Sequence, residues 1–400
     1  MWEDDQWGEP NRVASLRHER RYGAFTFLCL VVFLTCFGLL MLYSSSYDEA
    51  IRHGLPHYYF FVHQLAFVVL SLFVGVLVYY MPIKLLRMLT LPMVAVSFLL
   101  MMLSLFTPLG VVVLGARRWI RLGPLSLQPS ELVKVASIFF IADWYSKERK
   151  KIAHYLVPMA VMMLFAILIL MQRDFSTTIV YLCLCLALQM AAGLHFSILI
   201  LALAIIFVPG ALAILTAPYR IQRMASFLFP GIDRSGASYQ VDNALKAIRS
   251  GGLFGVGLGS GTYKLGILPE VQNDFIFASM CEELGLFWML FLLALFLVFA
   301  ILGYRSFVQM IRYDRFLGYV DFGLTTLIIS QVVINVSVVT GLLPPTGIPL
   351  PFFSQGGTSL FVTLTSSAVL FRIMSELGKQ PVPDEGRDMG KRVNFPTRNL

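Results

Sequence analysis

The sequence predicts an all-α polytopic membrane protein with ten transmembrane helices and a large extracytoplasmic loop between helices 7 and 8. Of its 400 residues, 58% are hydrophobic and only 14% are charged, and soluble domains rarely reach such an apolar fraction. Ten stretches contain the roughly 20 apolar residues that a helix needs to cross a bilayer. They begin near Ala24, Tyr58, Met88, Ser130, Tyr155, Phe175, Phe196, Phe275, Tyr319 and Thr358.

Polar segments set the predicted domain boundaries. Residues 1–22 are polar and are interpreted as a mobile cytoplasmic arm, and residues 377–400, with Pro381, Pro383 and alternating charges, as a disordered cytoplasmic tail. The membrane domain then covers 23–376 and includes an extracytoplasmic loop at 216–274. Within that loop, residues 237–249 have the amphipathic spacing of a helix that lies on the membrane.

The basic residues predict the orientation of the chain. Short loops on the side of the N-terminus carry the larger share of Lys and Arg, so both termini are expected in the cytoplasm. The exception is an outward cluster of Arg117, Arg118 and Arg121 around Trp119. Guanidinium groups match phosphate oxygens, which favours an anionic ligand at the outer face. Anchoring to lipid headgroups is the alternative.

Two further pairs of charges lie near the outer ends of predicted spans. Glu131 and Lys134 follow Pro129 and, at spacing i, i+3, share one helix face. Charged groups inside spans favour a functional role, although a pair that only neutralises itself is the alternative. Arg173 and Asp174 are interpreted as a local ion pair.

A glycine-rich segment from Gly251 to Gly285 leads into the eighth predicted span. Asp274 lies directly before the apolar run, where a low dielectric favours a proton-accepting carboxylate. Glu282 follows near a whole number of helical turns, so it can face the same cavity. Hydrogen bonds that pack the helix are an equally weighted alternative. The proline-rich segment 343–351 cannot form a continuous helix. Its backbone N–H and C=O groups therefore need hydrogen-bond partners from protein or from a polar cavity.

The sequence lacks several common catalytic patterns. There is no Walker-type phosphate loop, no His/Cys metal constellation and no G-x-S-x-G motif, which argues against ATP-driven and hydrolase functions. The five cysteines fall inside apolar stretches and are interpreted as buried free thiols. No nucleic-acid partner is expected.

Several motifs in order resemble the SEDS family (shape, elongation, division and sporulation), which includes FtsW and RodA. The resemblance covers nearly the whole chain. The matching segments are Gly115–Ile120, Gln128–Lys134, Asp174–Thr178, Gly251–Gly285 and Gly341–Ser359. One departure lies before the aspartate, where Gln272-Asn273 replaces the usual His-Thr.

The resemblance implies a peptidoglycan glycosyltransferase that polymerises lipid II at the outer face of the cytoplasmic membrane. Asp274 then matches the family's catalytic aspartate, and the substrate-binding candidates are Arg117, Arg118, Glu131, Lys134 and Glu282. A divalent cation sharing in diphosphate neutralisation is the one cofactor considered. A class B penicillin-binding protein transpeptidase and other divisome proteins are the implied partners.

The branch of the family and two other functions stay open at this point. Lys264-Leu265-Gly266 and the segment Gly255–Gly259 look more like FtsW, which acts at the division septum. Thr346-Gly347-Ile348-Pro349 is also common in RodA-like enzymes of cell elongation. A lipid II flippase and a scaffold that recruits division enzymes are the alternatives to an enzyme.

Overall fold

The computed structural model describes residues 9–113, 116–123, 125–147, 153–194 and 237–381. These residues form helices and one small antiparallel sheet of strand order β1-β2-β3. The elements, in chain order, are α1 (Glu9–Arg52), α2 (Tyr59–Tyr80), α3 (Ile83–Met88), α4 (Thr90–Phe106), β1 (Gly110–Val113), β2 (Ala116–Leu122), β3 (Leu125–Leu127), α5 (Pro129–Ser146), α6 (Ala153–Met171), α7 (Phe175–Ala191), α8 (Ala237–Gly251), α9 (Ile276–Met310), α10 (Arg315–Val339) and α11 (Gly357–Leu377).

The helices confirm a polytopic membrane fold. Among the described residues, 6 helices are long and apolar enough to cross a membrane, and α4 and α7 are shorter apolar helices. Helix α5 has a suitable length but carries Glu131, Lys134 and Asp143, and most of its side chains are buried. Every predicted stretch falls on a helix except the one near Phe196, which lies outside the described residues.

Two helices form the centre of the bundle. In the most apolar stretches of α10 and α11, 56% and 61% of the residues are buried, against 28–39% in the other long spans. Small residues allow close approach in a membrane, where packing rather than water exclusion joins helices. Gly75 of α2 faces Ala368 of α11, and Gly357 at the start of α11 faces the ring of Phe67.

Several features of the structure differ from the prediction. Helix α1 begins at Glu9, so the later part of the predicted N-terminal arm is helical. Strands β1 to β3, which the prediction lacked, carry the basic cluster between α4 and α5. Three cysteines, Cys29, Cys36 and Cys183, are exposed on the protein surface rather than buried, although all five are free. The predicted tail beyond Pro381 and loop residues 216–236 lie outside the described residues.

Helix α9 is broken at Gly285, where φ is 81° and ψ is 176°. Only glycine adopts this conformation readily. All side chains from Phe275 to Leu284 are buried, whereas Leu286 and Phe287 beyond the break are exposed. The break therefore separates a segment enclosed by protein from a segment that faces lipid.

Candidate active site

The basic cluster lies on strand β2, which places its arginines on opposite faces. Successive side chains of a strand alternate in direction. Arg118 Nη1 lies 3.5 Å from Asp174 Oδ2, whereas Arg117 Nη1 donates a hydrogen bond of 2.9 Å to the carbonyl of Leu105. The structure thus directs Arg118 to a charged partner and Arg117 to the end of α4. Arg117 is absent from the cleft that Arg118 lines, and its predicted part in substrate binding stays a prediction.

Asp174 is the N-cap of α7. Its Oδ1 accepts a hydrogen bond from the backbone N–H of Thr177, which satisfies one of the free donors at the helix start. The predicted local pair with Arg173 therefore missed the contact with Arg118. Asp174 Oδ2 and Arg118 Nε are both buried, and neither has a hydrogen-bond partner among the described residues. The charges of the two side chains therefore offset each other, while hydrogen-bonding capacity is left over at the cleft.

Glu131 and Lys134 form the predicted pair at the start of α5. Lys134 Nζ donates to Glu131 Oε1 at 2.7 Å, and both side chains are almost fully buried. Pro129 occupies the first helical turn, where its missing N–H costs nothing. The positive end of the helix also stabilises the carboxylate of Glu131 in that turn.

One open cleft brings these groups together. Arg118, Glu131, Lys134 and Asp174 line it, which confirms that three of the predicted site residues are neighbours. Helices α5 and α7 both begin at the cleft, and the positive ends of helices attract anions. The remaining lining residues are Gln128, Thr177, Val180, Gly347, Ile348 and Pro349.

Asn335 connects Asp274 to the wall of this cleft. Its Nδ2 donates 2.8 Å hydrogen bonds to the carbonyl of Asp274 and to that of Ile348. Asp274 is half-buried and lies two residues before α9. The carbonyl of Ile348, in the irregular proline-rich segment, is thus paired with protein, as the sequence predicts for such backbone. Asn335 was missed in the sequence, although a polar side chain late in an apolar span was a usable signal.

Glu282 holds the glycine-rich loop. Its carboxylate accepts hydrogen bonds from the backbone N–H and the hydroxyl of Thr262, at 2.6 and 2.9 Å, and from the N–H of Tyr263 at 3.2 Å. A buried carboxylate needs such donors to offset its desolvation. Of the two interpretations of Glu282, the structure favours the packing hydrogen bonds, because the loop occupies its oxygens.

Glu283 forms a second buried contact with the same loop. Lys264 Nζ lies 2.6 Å from Glu283 Oε1, and both side chains are buried. Ser44 of α1 hydrogen-bonds to the same carboxylate and to Lys264. The loop that ends at Asp274 is thereby fixed to both α9 and α1. Neither Lys264 nor Glu283 was predicted as part of the site.

The part of the chain that the structure describes contains no preformed cluster of metal-binding side chains. No group of three or more His, Cys, Asp or Glu side chains is arranged there to hold an ion. The predicted divalent cation therefore stays a prediction.

Comparisons with known proteins match nearly the whole chain. The family model FTSW_RODA_SPOVE, described as cell cycle protein, matches residues 25–379. The chain is 34% identical over 357 residues to the probable peptidoglycan glycosyltransferase FtsW of Borreliella burgdorferi, covering 88% of this chain and 96% of that protein.

A second relative and a solved structure show the same likeness. The probable peptidoglycan glycosyltransferase FtsW of Coxiella burnetii is 37% identical over 369 residues, covering 89% of this chain and 96% of that protein. A chain of a peptidoglycan synthase complex, studied for the structural coordination of polymerization and crosslinking, is similar with a TM-score of 0.71 and 25% identity. This likeness covers 89% of our chain and 98% of that one.

Proposed function

Because this chain belongs to the FTSW_RODA_SPOVE family of cell cycle proteins, we propose that it is an FtsW-like peptidoglycan glycosyltransferase. Its substrate is lipid II, and the reaction takes place at the outer face of the cytoplasmic membrane. The observation that carries this function is the cleft lined by Arg118 and Lys134, whose wall Asn335 joins to the backbone of Asp274.

The chemistry requires one strong proton acceptor and a site for a diphosphate leaving group. Asp274 accepts the proton of the attacking sugar hydroxyl. Arg118 and Lys134 stabilise the negative charge that develops on the departing diphosphate. A glycosidase differs, because it must protonate an alkoxide leaving group and so uses two carboxylates. A divalent cation bound to the diphosphate would share the neutralisation.

The same proposal covers the location and the partner. Both termini lie in the cytoplasm and the protein acts at the division septum, with a class B penicillin-binding protein as transpeptidase and with other divisome proteins. A related solved chain belongs to a complex of polymerization and crosslinking, which supports this choice of partner. The RodA-like role in elongation and lipid II flipping are the alternatives. The charges of the cleft gather at the starts of α5 and α7, which favours surface chemistry over a path across the membrane.

The Asp274→Asn variant tests the role of the carboxylate. We expect it to lose polymer formation from labelled lipid II by roughly 100-fold or more, because a positioned general base contributes about 10²–10⁴-fold. The matched control is Glu270→Gln, which neutralises an exposed acid on the same loop and should keep its activity. Polymer formation by Asp274→Asn at the rate of the unsubstituted protein would reject the assignment. Transport of lipid II across vesicles without polymer would support a flippase instead.

A further inference from the structure

A short glycine-rich segment, Gly251–Gly259, lies against the break in α9 and is called here the glycine loop. The backbone N–H groups of Val256 and Gly257 donate to the carbonyls of Glu282 and Glu283. In the other direction, the N–H groups of Leu286 and Phe287 donate to the carbonyls of Gly252 and Leu253. The loop therefore satisfies backbone groups on both sides of Gly285, and α9 satisfies backbone groups of the loop.

The side chains of the glycine loop point away from the protein although they are apolar. Phe254 is 80% exposed and Leu253 is 63% exposed, and Val256 and Leu258 are exposed too. No Asp, Glu, Lys or Arg occurs from residue 250 to residue 263. Contiguous apolar surface of this kind marks an interaction site.

The exposed side chains continue the lipid-facing surface of α9. Phe287, whose N–H bonds to Leu253, is 63% exposed, and Trp288 beside it is 47% exposed. Both belong to an apolar helix long enough to cross the membrane. Tryptophan is enriched at the boundary between headgroups and acyl chains. The glycine loop thus lies beside the start of the lipid-facing part of α9.

We propose that Leu253, Phe254, Val256 and Leu258 form a lipid anchor that inserts into the outer leaflet at the headgroup–acyl boundary. Irregular backbone is tolerated next to hydrocarbon only where its polar groups are paired with protein, and the bonds to residues 282–287 provide that pairing. The water-facing part of the loop begins after Leu258, because exposed Ser260 and the buried Lys264 pair follow.

The anchor fixes the depth of the segment that leads to Asp274. Lys264 and Glu282 hold that segment to the protein, while the anchor holds the adjoining glycine loop to the bilayer. A headgroup of a lipid-linked substrate emerges from the membrane at the same boundary. Resting here on the proposed function, we infer that the two attachments limit how far the segment before Asp274 can move relative to that headgroup.

Site-directed spin labelling of the whole protein in vesicles of phosphatidylethanolamine and phosphatidylglycerol tests the anchor. The background replaces the exposed Cys29, Cys36 and Cys183 by alanine, because Cys185 and Cys281 are buried. Single cysteines are then introduced by Phe254→Cys, Phe287→Cys and Ser260→Cys. Oxygen, which concentrates in hydrocarbon, and a water-soluble nickel chelate report the surroundings of each label.

We expect the label at position 254 to behave like the label at 287, with collisions with oxygen exceeding those with nickel. The label at 260 should show the reverse order. If position 254 instead follows position 260, the anchor is overturned, and the apolar surface belongs to a protein partner absent from the vesicles. Leu253→Cys repeats the measurement should the Phe254 variant accumulate poorly, and neither reading depends on catalytic activity.

Discussion

Arg117 and Arg118 are adjacent in the sequence and differ in what they contact. Arg118 lines the cleft with a buried Nε that has no partner among the described residues, and Arg117 binds the carbonyl of Leu105. We expect Arg118→Ala to lower kcat/KM for lipid II by roughly 10- to 100-fold, the effect of one hydrogen bond to a charged group.

Arg117→Ala is the matched control, with the same charge removed one residue away. It should cost about 1 kcal/mol of stability through the lost bond to Leu105 and leave kcat/KM nearly unchanged. Initial rates of polymerisation at several lipid II concentrations measure both variants. Equal losses for the two arginines would contradict the division of roles that the strand imposes.

The buried pair of Glu131 and Lys134 raises the question of whether it serves the substrate or only neutralises itself. Removing one partner leaves an uncompensated buried charge, so Lys134→Met alone should destabilise the protein by about 3–5 kcal/mol. The double variant Glu131→Gln with Lys134→Met carries no charge and should regain most of that stability.

Thermal unfolding in detergent and polymerisation assays separate the two roles of this pair. If Lys134 stabilises the diphosphate, the double variant folds but makes little polymer. A double variant that regains both its melting temperature and its polymerisation rate would show that the pair is structural.

At the scale of elements, periodicity predicted the helices but not the use of each polar side chain. The i, i+3 spacing of Glu131 and Lys134 depends only on helix geometry and was correct. Glu282 was placed in a cavity because its helical phase resembled that of Asp274, yet the loop residue Thr262 lies against it. Contacts between a helix and a distant loop depend on the path of the loop, which no local pattern encodes. The sheet was missed because its strands are short and interrupted by a register shift between Val111 and Val112.

The broken helix α9 depends on Gly285. A Cβ at this position would lie 2.3 Å from the backbone nitrogen of Gly255 and 2.6 Å from the carbonyl oxygen of Leu253. Gly285→Ala therefore combines a strained conformation, about 1–3 kcal/mol by itself, with a clash against the glycine loop. We expect a clear fall in the melting temperature and faster proteolysis within 251–274.

Gly23→Ala is the control for this substitution. Gly23 lies in α1, and a Cβ there would meet no heavy atom within 4 Å. Alanine should be neutral or stabilise the helix by about 0.5–1 kcal/mol. A Gly285→Ala variant as resistant to heat and protease as Gly23→Ala would mean that α9 can straighten without losing the loop.

Across the whole molecule, composition and span counting were enough to predict the membrane class, since hydrocarbon thickness dictates the length of each span. Composition and span length could not predict which helices form the centre of the bundle. Helices α10 and α11 are the least apolar of the long spans, and they are the most buried. In lipid, burial selects small and polar residues for packing rather than the most hydrophobic ones.

Helix α1 links the two faces of the molecule. Its outer part contributes Ser44 to the buried Lys264 and Glu283 contact. At its other end, Arg20 hydrogen-bonds to the side chain of Gln309 and to the carbonyls of Leu377 and Gln380. The same helix therefore holds both the loop before Asp274 and the end of α11.

The contact at Arg20 can be tested without touching the site. Arg20→Ala removes the donor that holds the carbonyls of Leu377 and Gln380, while the amides of Gly378, Lys379 and Gln380 still bond within the last turn. We expect those amides to exchange with deuterium roughly 5- to 10-fold faster, as the loss of about 1 kcal/mol of local stability requires.

Lys84 of α3 is exposed and provides the control, since Lys84→Ala removes a positive charge without removing a hydrogen bond to the end of α11. Its exchange at 378–380 should stay at the level of the unsubstituted protein. The amides of Val256 and Gly257 at the opposite face serve as an internal reference. Their exchange rates should be unchanged in both variants if the contacts of Arg20 act locally. Slower or unaltered exchange in Arg20→Ala would mean that the end of α11 is held by its own helical bonds and by Tyr313, which donates to the carbonyl of Pro381.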